Sequence, residues 1–415
     1  MTIKKFDVAV VGGGPSGSAA ALRLAKNGLS VILFENSDYE NQRVGETLPP
    51  ETHTLLASLG VWDRFLADAP RPSSGTRAVW GRPEIRENNF IVNPHGFGWQ
   101  VDRSKFDRML LEEARQAGAS TYLSVRPFRC SQNNSGTWNI EFESDSQQQQ
   151  FQSTLLVDAT GRKASLARKN GAKRIAYDRL IGVVGFLSPN FKASPITGGT
   201  LVEAVEDGWW YSAVLPDTRL VAAFMTDSDL FAEDRIQGAL HWSQSIQRAI
   251  HTRSRAKLYS LRAIPQIHAA NSSRLNQPSG AHWLAVGDAA MAFDPLSSLG
   301  VYKSLEYGML AANAITEHLD GKKLSFQNYA ANVETCFADY MFKRQAFYAT
   351  ECRWPHTDFW RRRHSGSIDK SDKRDNINKC KTLNSAVALL RMKNWVGIQF
   401  SKVGKTDKKK TKAIC

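Results

Sequence analysis

Cysteine is scarce in this sequence of 415 residues, which contains Cys130, Cys336, Cys352, Cys380 and Cys415. They form no CxxC pair and no histidine cluster stands at ligand spacing, which argues against a disulfide framework and against a zinc site. The sequence also lacks a run of eighteen apolar residues, and MTIKK leads into a strand pattern without a signal-peptide region. We therefore expect free thiols, no membrane span and a cytoplasmic protein.

Acidic residues are few near the end of the chain, where positive charge accumulates. Residues 361–415 hold sixteen Lys and Arg against four Asp and Glu, so this segment carries twelve of the fourteen net positive charges. A basic tail can contact nucleic acid, a membrane or an acidic protein, but a solvated tail is the simpler interpretation. We expect no nucleic-acid partner, an amphipathic helix over 383–400 that packs on the body, and a disordered end.

The first thirty-five residues have the pattern of one βαβ unit. The apolar spacing predicts a strand over 6–12, a helix over about 15–27 and a second strand over 29–35. Hydrophobic residues make up 42% of the chain, enough to fill the cores of two or three packed units. The start of the sequence is therefore typical of a nucleotide-binding domain.

A glycine motif lies between the first strand and the first helix. It comprises Gly12, Gly14, Pro15, Ser16 and Gly17 and satisfies GxGxxG. The first glycine permits the turn, the second lets the backbone approach a pyrophosphate, and the third lets the helix meet the strand. Glu35 ends the second strand eighteen residues after Gly17, where its carboxylate can accept hydrogen bonds from ribose hydroxyls. These features predict dinucleotide binding without separating FAD from NAD.

Two later segments, VDATGR (157–162) and VGDAAMAFDPLSSLG (286–300), resemble the later fingerprints of a large FAD-dependent monooxygenase family. That family includes aromatic hydroxylases, tryptophan halogenases and geranylgeranyl reductases. The resemblance implies FAD as cofactor, with Asp288 on the flavin ribityl chain and the loop from Pro295 to Gly300 beside the isoalloxazine. The positions that it assigns to the cofactor in these segments are Gly161, Gly287, Asp288, Pro295, Ser298, Leu299 and Gly300, and Ser297 belongs to the same loop.

The same resemblance adds contacts from the middle of the domain. Arg43, with Gly45 and Glu46 in RVGETLPP, matches an arginine and a loop along the flavin, and Gln100 and Arg103 match other residues that contact the cofactor. An arginine is suited to a pyrophosphate or to a negatively charged reduced flavin because its guanidinium is a fixed cationic fork. The alternative for each arginine is a surface ion pair.

The fold expected from the resemblance is α/β: a glutathione-reductase-like, three-layer FAD-binding domain, an antiparallel-sheet substrate domain and a helical, basic C-terminus. We expect the FAD-binding domain to be discontinuous. Its first part would span 1–175, with substrate-domain segments inserted near 75–100, and its second part would span 271–345. The substrate domain would span 176–270, and the C-terminal region 346–415, with a disordered tail.

The chemistry of the flavin decides which catalytic groups are sought. Reduced flavin supplies the oxygen-activating chemistry itself, so the protein must exclude water, hold the substrate and manage protons. Tryptophan halogenases of the family carry a WxWxIP segment and an early lysine, whereas this chain has GWWYSAVLP (208–216) and no lysine between Lys26 and Lys105. Both differences argue against halogenation. Trp209, Trp210 and Tyr211 could either contact an aromatic substrate or pack in the core.

The stretch YATECRWPHTDFWRRRH (348–364) resembles a segment of the flavoproteins that mature quinone-cofactor amine oxidases and dehydrogenases. The resemblance, which extends to a peptide-tryptophan dihydroxylase, implies hydroxylation of a tryptophan in a partner precursor during biogenesis of cysteine tryptophylquinone. Trp354 and Trp360 beside Arg361, Arg362 and Arg363 would suit an interface. The alternative is a basic cluster at a helix end that contacts its own chain.

Other functions remain open on the sequence. A small-molecule aromatic hydroxylase, a prenyl-chain reductase and a flavin-containing chaperone for the immature oxidase are the alternatives. An external reductant, NAD(P)H or a reduced flavin, is required, and a nicotinamide would bind transiently because no second GxGxxG is present. The general base is unknown, since His53, His95 and Asp294 are polar candidates for which a structural role is the simpler interpretation.

Overall fold

A computed structural model of the chain describes residues 3–125, 128–144, 147–190, 199–231 and 235–364. Its helices are α1 Pro15–Lys26, α2 Thr52–Leu59, α3 Trp62–Ala67, α4 Arg103–Gln116, α5 Ser165–Lys169, α6 Arg235–Arg248, α7 Ile250–Ala256, α8 Gly300–Leu319, α9 Ser325–Tyr348 and α10 Asp358–His364. The predicted helix over 383–400 and the predicted disordered tail lie outside the described residues. No helix within these ranges is long and apolar enough to cross a membrane.

The strands fall into two large and two small sheets. In chain order they are β1 Lys4–Val11, β2 Val31–Phe34, β3 Thr47–Leu48, β4 Arg71–Ser73, β5 Gly75–Val79, β6 Arg86–Asn89, β7 Gly98–Gln100, β8 Ser120–Tyr122, β9 Phe128–Gln132, β10 Trp138–Ser144, β11 Gln147–Asp158, β12 Arg174–Ala176, β13 Leu180–Pro189, β14 Thr200–Val205, β15 Gly208–Val214, β16 Leu220–Asp227, β17 Tyr259–Leu261, β18 Gln266–Ala269, β19 Ser273–Leu275, β20 Ser279–Gly280, β21 Trp283–Ala285 and β22 Met291–Ala292. The small sheets are β12-β19-β22 and β3-β7-β4.

The first large sheet has the order β20-β21-β11-β1-β2-β8, and β21, β11, β1, β2 and β8 run parallel. The second half of β1, from Val8 to Val11, and all of β2 are apolar and buried, as expected of parallel strands covered on both faces. Helices α1 and α8 pack together over this sheet. The carboxyl ends of β21, β11 and β1 are adjacent and in register, because Val11 faces Asp158 and Asp158 faces Ala285.

The second large sheet has the order β17-β13-β16-β15-β14-β5-β6 and is antiparallel except where β14 meets β5. Successive side chains of each strand pack into different apolar clusters, because they point to opposite faces of the sheet. Trp210 joins Phe224 and Trp242 on the side covered by α6, whereas Trp209 lies in the main core. The prediction of an antiparallel sheet over 180–225 is confirmed.

A polar run, Gln147–Gln150, begins β11. These residues pair with β10 in an antiparallel hairpin arm. Glutamine has no strong preference for strands, but pairing across a hairpin overrides such weak local tendencies.

The stretch 348–364 packs on its own chain. Trp360 is fully buried, its indole Nε1 donates a hydrogen bond to the Val205 carbonyl at 2.9 Å, and its ring lies 5.3 Å from that of Trp80. Arg363 pairs with buried Asp227 at 2.8 Å, and Arg362 also bonds Asp227. The burial of Trp360 and Arg363 favours the alternative, a basic helix end that contacts its own chain, and the interface suggested for Trp354, Trp360 and Arg361–Arg363 stays a prediction.

Candidate FAD and substrate site

Three sequence motifs meet at one edge of the first sheet. The glycine motif follows β1, the segment at Gly161 follows β11, and the segment at Asp288 follows β21. In an open α/β sheet, ligands bind in the crevice outside the carboxyl ends of the strands. The topology therefore brings segments that are almost 300 residues apart in sequence to one potential nucleotide site.

The three glycines of the first motif have different surroundings. A Cβ on Gly12 would lie 2.2 Å from the Ala159 carbonyl oxygen, and one on Gly17 would lie 1.9 Å from the Gly12 carbonyl oxygen. These two glycines allow backbone to pack on backbone. A Cβ on Gly14 would meet no protein atom within 4 Å. Gly14 therefore borders free space at the start of α1, where helix N–H groups favour an anion.

Glu35 lies under the glycine turn. Its carboxylate accepts hydrogen bonds from the Gly13 backbone N–H at 2.6 Å and from the Ser37 hydroxyl at 2.5 Å, and it meets Arg43 at 3.3 Å. The hydroxyl of Tyr39 donates to the Gly13 carbonyl at 2.6 Å. Burial and the neighbouring Glu35 charge raise the pKa of Tyr39, which stays neutral. The second strand therefore holds the glycine turn through side chains.

Asp107 on α4 binds both predicted arginines. Its carboxylate is fully buried and receives Arg43 at 2.8 Å and Arg103 at 3.0 and 3.1 Å. Arg103 also donates to the Val44 carbonyl at 2.6 Å. With Glu35 nearby, the two cations meet two carboxylates, so the cluster is close to neutral. The arginines position the loop around Gly45 and are not free cationic forks.

We expect Asp107→Asn to lower the free energy of unfolding by about 1.5–3 kcal/mol, the usual contribution of a hydrogen bond to a charged group. The amide keeps the shape but cannot neutralise two guanidinium groups. Urea unfolding at a fixed FAD concentration measures this. Asp68→Asn is the control, because its pair with Arg64 on the surface of α3 contributes less than about 0.5 kcal/mol. Equal losses in the two variants would contradict the role of the cluster.

The loop after β21 is shaped by its own polar contacts. Arg162 donates to the carbonyls of Asn271 at 2.6 Å and Phe293 at 3.0 Å and lies 3.4 Å from Asp288. Asp294 is fully buried and accepts from the Leu296 N–H, the Tyr348 hydroxyl and Arg344. Asp294 therefore holds the loop that leads to Gly300, the first residue of α8.

A cavity of about 350 Å³ joins the three motifs to the second large sheet. Its first wall includes Gly14, Pro15, Ser16, Arg43, Gly45, Arg103, Gly161, Asp288, Pro295, Ser298 and Gly300. Its second wall includes Gly182, Val184, Tyr211, Val221, Ala223, Met225 and His268. The second wall is made mainly of small and apolar side chains, which leave room for a flat group.

The loop at Glu46 and Thr47 lines the same cavity and connects it to a polar network. The Thr47 hydroxyl lies 2.7 Å from the Tyr211 hydroxyl, 2.9 Å from the Gln100 side-chain oxygen and 3.1 Å from the Thr200 hydroxyl. Tyr211 also donates to Glu46 at 3.4 Å. Burial raises the pKa of Glu46, while the positive charge of Arg103 partly offsets that effect.

Three histidines differ in whether they lie close enough to the cavity to act as a base. His268 lines the cavity from β18, and burial lowers its pKa, which keeps the ring neutral near pH 7. His53 packs against the Trp62 ring at 4.3 Å, and His95 is exposed in a loop. Sequence reasoning missed His268 because HAANSS (268–273) carries no motif. Nothing in the sequence of the exposed edge strand β18 indicated that His268 would lie beside Gly182.

Ten of the sixteen residues predicted to bind FAD line the cavity: Gly14, Pro15, Ser16, Arg43, Arg103, Gly161, Asp288, Pro295, Ser298 and Gly300. The others lie behind that surface: Gly12, Gly17, Glu35, Gln100, Gly287 and Leu299. Gln100 is buried in the Thr47 network, and a Cβ on Gly287 would meet the Ser16 hydroxyl at 2.5 Å. The cofactor contacts of all sixteen stay predictions.

Comparison with known proteins adds the family and several relatives. A family model described as an FAD binding domain matches residues 5–329. The putative FAD-dependent oxidoreductase LodB of Marinomonas mediterranea is 28% identical, over 88% of this chain and 98% of its own. The 1H-pyrrole-2-carbonyl-[peptidyl-carrier protein] brominase of Pseudoalteromonas luteoviolacea is 26% identical, over 79% of this chain and 81% of its own.

Solved structures give the same picture of the fold. CmlS, a flavin-dependent halogenase, superposes with a TM-score of 0.78 at 27% identity, covering 92% of this chain and 70% of that protein. The peptidyl tryptophan dihydroxylase QhpG, essential for tryptophylquinone cofactor biogenesis, has a TM-score of 0.70 at 25% identity, covering 88% and 80%. The predicted α/β fold, with its FAD-binding domain, antiparallel sheet and helical C-terminal region, is confirmed.

Proposed function

The chain belongs to the FAD binding domain family, and from that premise we propose that it hydroxylates a tryptophan side chain of a partner precursor protein. In this proposal the modified tryptophan becomes part of a cysteine tryptophylquinone cofactor. The class, an FAD-dependent oxidoreductase, is given by the family and by its relatives. The likeness to QhpG, whose name specifies a peptidyl tryptophan, is the observation that carries the choice of substrate.

The residues present fit FAD. The open space beside Gly14 is a cradle that a Cβ would fill, and it lies at the start of α1, where an anionic pyrophosphate is stabilised. We propose that Asp288 holds the ribityl chain and that Pro295, Ser298 and Gly300 border the flavin ring. When bound, the reduced flavin supplies the activation of oxygen. Arg43 and Arg103 fix the loop that covers it.

The second wall suits an aromatic ring. Gly182, Val184 and Ala223 lie on neighbouring strands and present little side-chain volume. Apolar walls exclude water, which prevents loss of a reactive oxidant before it reaches the substrate. No lysine belongs to the cavity lining in the described ranges. The resemblance to the monooxygenase family implies that halogen transfer needs a lysine early in the chain. The lining therefore favours oxygen transfer over halogen transfer.

Halogenation of an aromatic substrate is the second candidate. The observation that favours it is the set of relatives, which includes the pyrrole brominase and CmlS. The pyrrole of that brominase is carried on a peptidyl-carrier protein, as its name states. Delivery of an aromatic ring by a protein is therefore compatible with both candidates, and the product must separate them.

We expect purified protein supplied with reductant, oxygen and bromide to add one or two oxygen atoms to the precursor of a quinone-cofactor oxidase, and no bromine. Intact-mass spectrometry followed by peptide sequencing identifies the modified tryptophan. Conversion should be near complete with wild type and absent with Gly14→Val, the cofactor-free control. A bromine isotope pattern would establish the second candidate. A stable complex without any change in mass would support a chaperone.

A further inference from the structure

The cavity holds few polar groups on its substrate side. Three titratable groups stand near the apolar wall: Glu46, Tyr211 and His268. Asp294 also borders the cavity, but its carboxylate is occupied by Arg344, Tyr348 and the Leu296 N–H. A ligand that enters beside Gly182 therefore has few hydrogen-bond partners, and their chemistry restricts which ring it can be.

Glu46 is buried with one carboxyl oxygen unsatisfied. The residue is 3% exposed, and among the described residues its Oε1 has no hydrogen-bond partner. Its Oε2 has a long contact with Tyr211 at 3.4 Å, and the backbone N–H groups of Glu46 and Gly45 act on the carboxyl electrostatically. The Tyr211 hydroxyl lies closer to Thr47, at 2.7 Å. A buried acceptor without a donor raises the free energy of the folded protein, and a ligand that donates a hydrogen bond removes this penalty. The unfilled position calls for a ligand that carries an N–H or O–H group.

We propose that Glu46 accepts a hydrogen bond from the ring N–H of a heteroaromatic substrate of the indole or pyrrole type. The inference rests on the proposed function, because it places the substrate ring against the wall of Gly182, Val184 and Ala223. A flat ring fills that space, and its single donor meets Glu46. Rings without a donor, such as benzofuran, leave the carboxyl unpaired and are rejected.

The same contact handles a proton. With O2 as the oxidant and two electrons from the external reductant, one oxygen atom bonds to the ring carbon and the other leaves as water. While the carbon–oxygen bond forms, the N–H electron pair stays in the ring and the proton passes to a carboxylate oxygen of Glu46. The proton returns to the ring nitrogen when the ring carbon loses its own hydrogen as a proton. The Tyr211 hydroxyl, between Glu46 and Thr47, stabilises the carboxylate by donating to Oε2. Glu46 is then a catalytic residue, and Tyr211 a positioning residue.

The contact depends on pH in a defined direction. Burial raises the pKa of Glu46, whereas the backbone N–H groups of Glu46 and Gly45, the charge of Arg103 on α4 and the hydrogen bond from Tyr211 on β15 lower it. The ionised carboxylate is the better acceptor. Indole binding should therefore strengthen as pH rises through the raised pKa of Glu46. A variant without this carboxyl should show no such increase.

The test is a binding titration of FAD-loaded protein with indole, 1-methylindole and benzofuran, followed by the change in flavin absorbance. Wild type should bind indole at least about tenfold more tightly than the two rings without a donor, a difference of about 1.4 kcal/mol. Glu46→Ala should lose this preference, and Glu46→Gln should keep part of it without the pH dependence. Tyr211→Phe should weaken it only in part. Glu40→Ala is the matched control and should keep it, because this carboxyl is exposed and does not belong to the cavity lining.

Retention of the preference in Glu46→Ala, or its loss in Glu40→Ala, would overturn the inference. The result is independent of the precursor assay. Indole selectivity that depends on Glu46, without oxidation of a precursor, would uphold this site and reject the proposed protein substrate. Oxidation of a precursor by Glu46→Ala at the wild-type rate, with the indole preference retained, would uphold the function and reject this site.

Discussion

Gly14→Val should give a folded protein that purifies without FAD. The backbone at Gly14 is extended, with φ −71° and ψ −179°, so valine fits without strain. Its side chain would occupy the free space at the start of α1, where we propose that the pyrophosphate lies. We expect a loss of FAD affinity of at least about a hundredfold, or about 2.7 kcal/mol. The flavin absorbance of the purified protein and a titration with added FAD measure it.

Gly12→Val is the contrasting variant. Gly12 has φ +110°, and its Cβ would lie 2.2 Å from the Ala159 carbonyl oxygen, so this substitution should disrupt the packing of β1 and β11. Circular dichroism should therefore show wild-type structure for Gly14→Val and lost structure for Gly12→Val. Full occupancy by FAD in folded Gly14→Val would reject the proposed place of the pyrophosphate.

The cofactor side of the site was predictable because its motifs are local. Each glycine turn is a short segment whose backbone geometry restricts its own sequence, so Gly14 and Asp288 could be named before their neighbours were known. The parallel strands then fix which segments meet. That is why residues from 14 to 300 converge on one edge of the sheet.

The substrate side was not predictable in the same way. Glu46, Gln100 and Tyr211 were each named from the sequence, but no motif indicated that they form one network around Thr47. They meet because the segments at β3, β7 and β15 are adjacent in space. Asp107 gave no signal either, since an aspartate within a helix is usually a surface residue. Contacts among side chains from distant strands depend on packing, which a single sequence does not display.

The C-terminal stretch 348–364 is a second region whose role could not be decided from the sequence. Trp and Arg are enriched at interfaces, but they also fill cores when a carbonyl or a carboxylate is available to them. Here the Val205 carbonyl receives Trp360, and Asp227 receives Arg363. Composition could not distinguish core packing from a partner interface, because either one provides hydrogen-bond acceptors for the tryptophan N–H and the arginine guanidinium.

Trp360→Ala should lower the free energy of unfolding by about 3–5 kcal/mol. The indole is fully buried and packs near the rings of Trp80 and Phe359, at 5.3 and 5.1 Å. Its removal leaves a cavity and deletes the hydrogen bond to the Val205 carbonyl. Urea unfolding of wild type and variant at the same FAD concentration measures the loss, since bound cofactor adds to stability.

Arg361→Ala is the matched control from the same helix. Arg361 is exposed and pairs only within its helix, with Asp358, so its removal should cost less than about 0.5 kcal/mol. A large loss of stability for Trp360→Ala beside almost none for Arg361→Ala would follow from a helix that packs on its own chain. Wild-type stability in Trp360→Ala, combined with a weaker complex with the precursor, would instead make this helix an interface. In that case α10 would have to move and expose Trp360 before the partner binds.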